Sequence, residues 1–353
     1  MMPAPSCSAP FEGESQVSTV TPNSLGISHE DCSVPSNQDR TPLSPFTDFS
    51  RRDTQPILIK NTPYSIQQHV SLAKLTSFRV GGAAEFFIAP RTLDELQAAL
   101  SWADQQSVPV TLIGAGSNLL ISDRGLEGLV ICMRGMKQVQ FEAETGQVTA
   151  SAGESLARLA WRAADLGLSG LEWAVGIPGT VGGAVVMNAG AHAWCAADIL
   201  INAHTLDVGG RRQIFQPHDL AFDYRTSLIQ NSDLLVTQAS FQLKPGQSPQ
   251  KVIEDTREHM KQRHQTQPYH LPSCGSVFRN PESQKAGWLI EQTGLKGYQI
   301  GDAQVAQQHA NFILNLGHAT ASDIFCLIQH VQEQVKDQWT LLLRPEVKFI
   351  GEF

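Results

Sequence analysis

Two glycine-rich segments carry the clearest chemical signal in this sequence of 353 residues. The first is Gly114, Ala115, Gly116, Ser117 and Asn118. The second runs Gly176, Ile177, Pro178, Gly179, Thr180, Val181, Gly182, Gly183, Ala184 and continues to Asn188. Glycine lets a backbone approach a ligand closely, and free N–H groups along such a loop form anion-binding concavities. A dinucleotide fingerprint needs G-x-G-x-x-G opening a helix, but here the sixth position is Leu119, inside an apolar run. The Walker pattern is absent as well. Each segment alone could be a tight turn between core elements. Together, with no Lys-Ser/Thr pair, they point to a bulky cofactor carrying a pyrophosphate.

Other chemistries find little support. The cysteines Cys7, Cys32, Cys132, Cys195, Cys274 and Cys326 form no C-x-x-C pair and are irregularly spaced, so neither a zinc site nor a disulfide framework is expected. The histidines lack metal-ligand spacing, and no metal is expected. Cys274-Gly275-Ser276-Val277 lacks the G-x-S-x-G elbow of a hydrolase nucleophile.

Alternating elements must position these loops. Residues 85–90 read as a strand, and Thr92 with Glu95 as a capping box opening a helix. Strands are expected over 108–114 and 128–133, and a hairpin over 137–144 and 146–153. Residues 155–166 read as an amphipathic helix. From Pro245 onward, helices are expected at 248–265, 285–294 and 321–339, with a strand at 311–317 and a closing strand at 347–353. Strand and helix alternate with added hairpins, which implies α+β layers rather than one doubly wound sheet.

Composition sets the limits. The chain is 41% hydrophobic, enough for more than one domain. A net charge of −8 disfavours a nucleic-acid partner, so an anionic ligand must be met by local cations. No apolar run reaches the roughly 18–20 residues that span a bilayer, and the N-terminus does not read as a secretory signal. Residues 1–55 hold 7 of the 19 prolines and 10 serines, and read as a disordered tail. A cytoplasmic protein is expected, acting as a monomer.

Eight segments in order carry a specific resemblance: residues 76–82, 114–123, 176–191, 222–227, 272–281, 287–297, 309–315 and 344–351. Together they resemble the UDP-N-acetylenolpyruvoylglucosamine reductases over about residues 56–353. The resemblance implies an FAD-binding fold of the vanillyl-alcohol-oxidase type, made of two α+β subdomains, plus a smaller α+β substrate-binding domain. The corresponding division is a tail at 1–55, FAD-binding subdomains at 56–134 and 135–244, a substrate domain at 245–340, and a C-terminal segment at 341–353 returning to the active site. Arg225 lies 51 residues before Ser276, which places the resemblance with the branch lacking a tyrosine-bearing loop over the substrate.

The same resemblance implies non-covalent FAD, NADPH as co-substrate and a UDP-sugar substrate. Arg225 then stabilises charge on the reduced enolpyruvyl group, Ser276 gives a proton to C2, and Glu346 sits at the enol ether. Arg79, Gly81, Gly82, the first glycine loop (114–118) and Gly176, Ile177, Pro178, Gly179, Gly182, Gly183, Ala184 and Asn188 are implied at the cofactor. Tyr224, Arg263, Gln267, Asn280 and His309 are implied at the substrate. From the residues alone, Ser276 could equally be a turn residue and Glu346 a partner of Arg344 or Lys348. Arg279 stands where the family pattern has lysine, with charge kept. Two other readings stay open: a flavoenzyme of the same fold with FAD linked to His192 or Cys195, and a non-catalytic nucleotide-sugar sensor.

Overall fold

The apolar runs of the first third assemble into a five-stranded sheet. The computed structural model describes residues 55–353, so the expected disordered tail, apart from Gln55, lies outside the described residues. β1 (Ile57–Leu58), β2 (Ser65–Ser71) and β3 (Ala83–Ile88) lead through α1 (Leu93–Gln106) to β4 (Val110–Ile113). β5 (Leu119–Ile121) and β6 (Leu126–Cys132) follow. The sheet order is β1-β2-β3-β6-β4, and β6 pairs in parallel with both β3 and β4. A parallel strand at that position is covered on both faces, and every residue of β6 except Glu127 is buried.

Thr92 caps α1, accepting from Glu95 N at 3.1 Å. The expected capping box closes only by half, because Glu95 Oε2 accepts from Arg91 N at 2.8 Å instead of the Thr92 amide. At Thr320 the shorter Asp323 closes both halves, at 3.0 and 2.9 Å.

The next stretch forms β7 (Val139–Glu142), β8 (Gln147–Ser151), α2 (Leu156–Asp165), α3 (Val181–Val186), β9 (Gly190–Ala191), β10 (Trp194–Cys195), α4 (Ala196–Ile199), β11 (Leu200–Asp207), β12 (Arg212–Phe215) and β13 (Leu234–Gln242). The second five-stranded sheet runs β12-β11-β13-β8-β7, antiparallel throughout. The expected hairpin is the β7–β8 pair, with Val139 opposite Ala150. α2 buries Leu156, Leu159, Ala160 and Ala163, the face its periodicity marks. One continuous core joins both sheets, with Ile131 of β6 and Leu96 of α1 in the same cluster as Phe241 of β13 and Leu159 of α2.

The last stretch contains α5 (Pro249–Thr266), α6 (Ala286–Gln292), β14 (Gln299–Ile300), β15 (Ala303–Val305), β16 (Ile313–Asn315), α7 (Ala321–Trp339) and β17 (Lys348–Ile350). β14, β15 and β16 form a small antiparallel sheet against α7. α5, read as the opening of the substrate domain, packs along α2 instead. Its inward side carries Val252, Thr256 and Met260, and Met260 joins the main core. β17 is shorter than the expected strand, since Gly351 turns away with φ of 91°. It pairs in parallel with β5, Lys348 opposite Leu119. The chain's end is thereby returned to the first glycine loop.

Candidate active site

The two glycine loops face each other. Ser117 Oγ donates to Pro178 O at 2.7 Å, tying the β4–β5 loop to the loop before α3. Among the described residues, the backbone N–H groups of Ala115, Gly116, Ser117 and Asn118 donate to no protein acceptor. Four consecutive free amides form a concavity suited to an anion, as a pyrophosphate site requires. Gly116 serves packing as well. Its φ is 67° and a Cβ there would strike Leu75 O, so only glycine lets the loop lie against Thr76-Ser77. The second segment is not all loop. Thr180 Oγ1 accepts from Gly183 N at 3.3 Å and starts α3, and burial of Val181, Ala184 and Val185 holds two glycines in a helix.

Arg225 lies on the turn before β13 and adopts φ of 56°, a left-handed conformation uncommon for a residue with a Cβ. Its Nε donates to Glu346 Oε1 at 2.9 Å and its Nη2 to Gly190 O at 2.8 Å. The pair is largely buried, with side chains 22% and 15% exposed. Tyr224 lies under the guanidinium at 5.1 Å.

The segment that carries Ser276 is held alongside the Glu346 segment by backbone pairing. Phe278 bridges Pro345, Arg279 N donates to Arg344 O at 2.9 Å, and Glu346 N donates to Val277 O at 2.7 Å. The segment is braced from behind by Asn311, whose Oδ1 accepts from Phe278 N at 2.9 Å and whose Nδ2 donates to Phe278 O at 2.8 Å. Ser276 itself is half-buried, and its hydroxyl has no partner among the described residues. Asn118 joins this array to the glycine loop, its Nδ2 donating to Glu346 O at 3.0 Å. Burial raises the Glu346 pKa, while Arg225 and then Arg279 pull it down without cancelling the effect. Burial and the Glu346 charge together push the Cys274 thiol far up, so it stays neutral.

Residues 84–214 match the FAD binding domain family, and residues 267–350 match the UDP-N-acetylenolpyruvoylglucosamine reductase C-terminal domain. The UDP-N-acetylenolpyruvoylglucosamine reductase of Acaryochloris marina is 60% identical over 297 residues, covering 84% of this chain and 96% of that protein. The chain belongs to the UDP-N-acetylenolpyruvoylglucosamine reductase family. The Synechocystis sp. reductase is 50% identical over 313 residues, covering 88% of this chain and 99% of that protein. The crystal structure of the Thermus caldophilus reductase superposes with a TM-score of 0.71 at 34% identity, covering 81% of this chain and all of that one. The architecture is accordingly the expected FAD-binding fold of two α+β subdomains with a smaller α+β domain.

Within this reductase fold, other expected residues divide into two groups. Arg79, Pro178, Arg263 and Gln267 line one cavity of about 350 Å³, together with Ser77, Tyr269, Ser273 and Gly275. Arg263 Nη2 donates to Gln267 Oε1 at 3.0 Å and its Nε to Tyr269 Oη at 3.0 Å, while the Tyr269 hydroxyl donates to Gly176 O at 3.1 Å. Other residues are taken up by the protein. Gly81 and Gly82 pack against Ile121, Asp123 and Gly125. Asn188, expected at the cofactor, spends its amide on Asp223 O (3.1 Å) and Ala197 N (3.1 Å), and so holds the Arg225 turn. Asn280 Oδ1 accepts from Ala286 N at 3.0 Å at the start of α6. His309 Nδ1 accepts from Asn311 N at 3.2 Å, and burial lowers its pKa, so the ring is neutral.

The sequence reading missed Lys348 and Gln230 in this reductase site. Lys348 follows Glu346 by two, across a bend at Val347 whose N–H shares Val277 O with that of Glu346. Desolvation around its ammonium and the nearby Arg279 guanidinium lower its pKa. Gln230 Nε2 donates to Arg225 O at 2.8 Å and to Val186 O at 3.1 Å, linking the arginine turn to α3. His192 and Cys195, the alternative flavin anchors, lie in and beside the β9–β10 turn, with the His192 ring stacked on His259 at 4.3 Å.

Proposed function

We propose that the chain reduces UDP-N-acetylglucosamine enolpyruvate to UDP-N-acetylmuramate for peptidoglycan precursor synthesis, using non-covalent FAD and NADPH. The observation that carries this reading is the Arg225–Glu346 pair beside the amide-lined glycine loop, with the segment that carries Ser276 hydrogen-bonded along the segment that carries Glu346. Family membership supports the activity class, since the named relatives are reductases of this substrate. Among the described residues no helix is long and apolar enough to cross a membrane. Nucleotide co-substrates fit a cytoplasmic enzyme, and the reading takes the chain to act as a monomer.

The 114–118 loop would hold FAD, whose chemistry there would be to relay hydride from NADPH to the enolpyruvyl group. The 114–118 amides suit its pyrophosphate. Reduction leaves negative charge at C2 that spreads into the substrate carboxylate. The guanidinium of Arg225 can match a carboxylate with two parallel donors. Arg279 and Lys348 add positive charge to the same neighbourhood, since Arg279 acts electrostatically on both Glu346 and Lys348. A chain that is acidic overall thus has a local excess of cations where an anionic substrate must sit.

Ser276 then gives its hydroxyl proton to C2. Serine is a weak acid in water, but an enolate carbon is far more basic than water, and the alkoxide left behind is stabilised by the same cations. Its unpartnered hydroxyl is free for that contact. Glu346 orients Arg225 and, in this reading, polarises the enol ether.

The test separates the two half-reactions. Ser276→Ala is expected to let NADPH bleach the flavin at the wild-type rate, while reoxidation by the enolpyruvyl UDP-sugar slows roughly 10²–10⁴-fold. Near-wild-type reoxidation would remove Ser276 as proton donor. Wild-type protein that consumes no NADPH in response to the enolpyruvyl sugar would sink the whole reading.

A further inference from the structure

Arg225 pays a conformational cost to reach its place. Its φ of 56° crowds the Cβ, and such conformations persist only where surrounding groups over-determine them. The bracing is explicit. Arg225 O accepts two side-chain hydrogen bonds, from Gln230 Nε2 at 2.8 Å and from Arg279 Nη2 at 3.1 Å. The other arm of the Arg279 fork, Nη1, meets Thr226 Oγ1 at 3.4 Å. The backbone of Arg279 is meanwhile locked to the opposite side of the site, its N–H on Arg344 O at 2.9 Å, two residues before Glu346. One residue therefore grips the arginine turn with its side chain and the Glu346 segment with its backbone.

We propose that Arg279 is a positioning residue of the reaction, holding Arg225 in its left-handed turn at the distance from Glu346 and Ser276 that the chemistry needs. The proposal rests on the catalytic reading of Arg225 given above. A planar fork with donors on both arms suits this task, because it fixes orientation as well as position. A lysine ammonium has three donors but no planar fork, so it can bond an acceptor of the turn without fixing the turn's orientation as firmly. The charge of Arg279 has a separate consequence. The groups acting on the Glu346 carboxyl are Arg225 from the turn before β13, Arg279 and Cys274 from the serine segment. Arg225 is the stronger stabiliser of the ionised form and Arg279 adds to it.

The experiment compares Arg279→Met and Arg279→Lys in the flavin-loaded full chain. In Arg279→Met, flavin reduction by NADPH is expected within twofold of wild type, and reoxidation by the enolpyruvyl UDP-sugar to slow about 10- to 100-fold, as for a displaced catalytic group. The pH limb that follows Glu346 should move to higher pH, since removing a cation makes its carboxyl harder to ionise. Arg279→Lys should return that limb to its wild-type position while recovering only part of the reoxidation rate. In a crystal structure of Arg279→Met, Arg225 should leave the left-handed region or lose its contact to Gly190 O. Reoxidation within twofold of wild type, an equal fall in both half-reactions, or an Arg225 turn unchanged in the variant crystal would each overturn the proposal. The crystal readout does not depend on the reaction. A failure of the functional reading would show instead as a wild-type enzyme indifferent to the enolpyruvyl sugar.

Discussion

The Glu346 side chain is 15% exposed, and its pKa is raised because burial opposes ionisation more than Arg225 and Arg279 relieve it. A carboxyl with a folded pKa above its unfolded value favours folding below the unfolded pKa, and loses that advantage as pH rises through the folded pKa. At pH 8 the ionised Glu346 is thus a cost to the fold. Glu346→Gln keeps an oxygen for Arg225 Nε and removes the charge. It is expected to unfold at the same or a higher temperature than wild type at pH 8, with the advantage shrinking toward pH 4, while turnover falls at least about 100-fold. Thermal melts across that pH range decide it, and a lower unfolding temperature at pH 8 would mean that attraction to Arg225 outweighs burial. Residues of this kind were only partly legible in the sequence. Arg225, Ser276 and Glu346 came from matched motifs, because single polar residues carry no periodicity. Lys348 and Gln230 were missed, and Asn188 was read as a ligand contact, because their partners are set by tertiary pairing. Asn188 meets Asp223, 35 positions away.

At the scale of elements, periodicity marked α2 and α7 well, because each buries a regular apolar stripe. α3 stayed hidden in its glycines, since a helix started by a threonine cap and held by burial leaves little local signal. The packing of α5 on α2 was equally hidden, because the α5 sequence is mostly charged outside its narrow inward side. One joint between elements invites measurement. The Asp123 carboxylate, on the loop after β5, accepts from Ala321 N at 2.9 Å and from Ser322 N and Oγ at 2.8 Å each, at the start of α7. A carboxylate there satisfies orphan N–H groups and complements the helix dipole. Asp123→Ala should cost about 1 kcal/mol, read as a lower urea midpoint at unchanged slope. An unchanged midpoint would mean that the Thr320–Asp323 box alone satisfies that helix end.

Across the whole molecule, the two sheets share one core, and their glycine segments meet through two side-chain bonds among the described residues, Ser117 Oγ to Pro178 O and Asn118 Nδ2 to Met187 Sδ. The first loop is also tied to the chain's end, through Asn118 Nδ2 to Glu346 O and Lys348 N to Asn118 O. A ligand lying along both loops therefore bridges both sheets and the C-terminal segment at once. It binds only when all three are assembled, so its binding energy adds directly to the stability of the folded chain, by about 2.7 kcal/mol at a concentration 100 times its Kd. If the free amides of 115–118 hold a pyrophosphate, that stabilisation should depend on the pyrophosphate and not on the flavin ring alone. Protein stripped of flavin should melt at a lower temperature than the loaded enzyme. Added FAD should restore the melting temperature, and riboflavin, which has the ring but no phosphate, should restore little of it at equal concentration. Thermal melts of the stripped protein with each compound measure this, and equal rescue by riboflavin would assign the glycine loops to packing instead of to the cofactor.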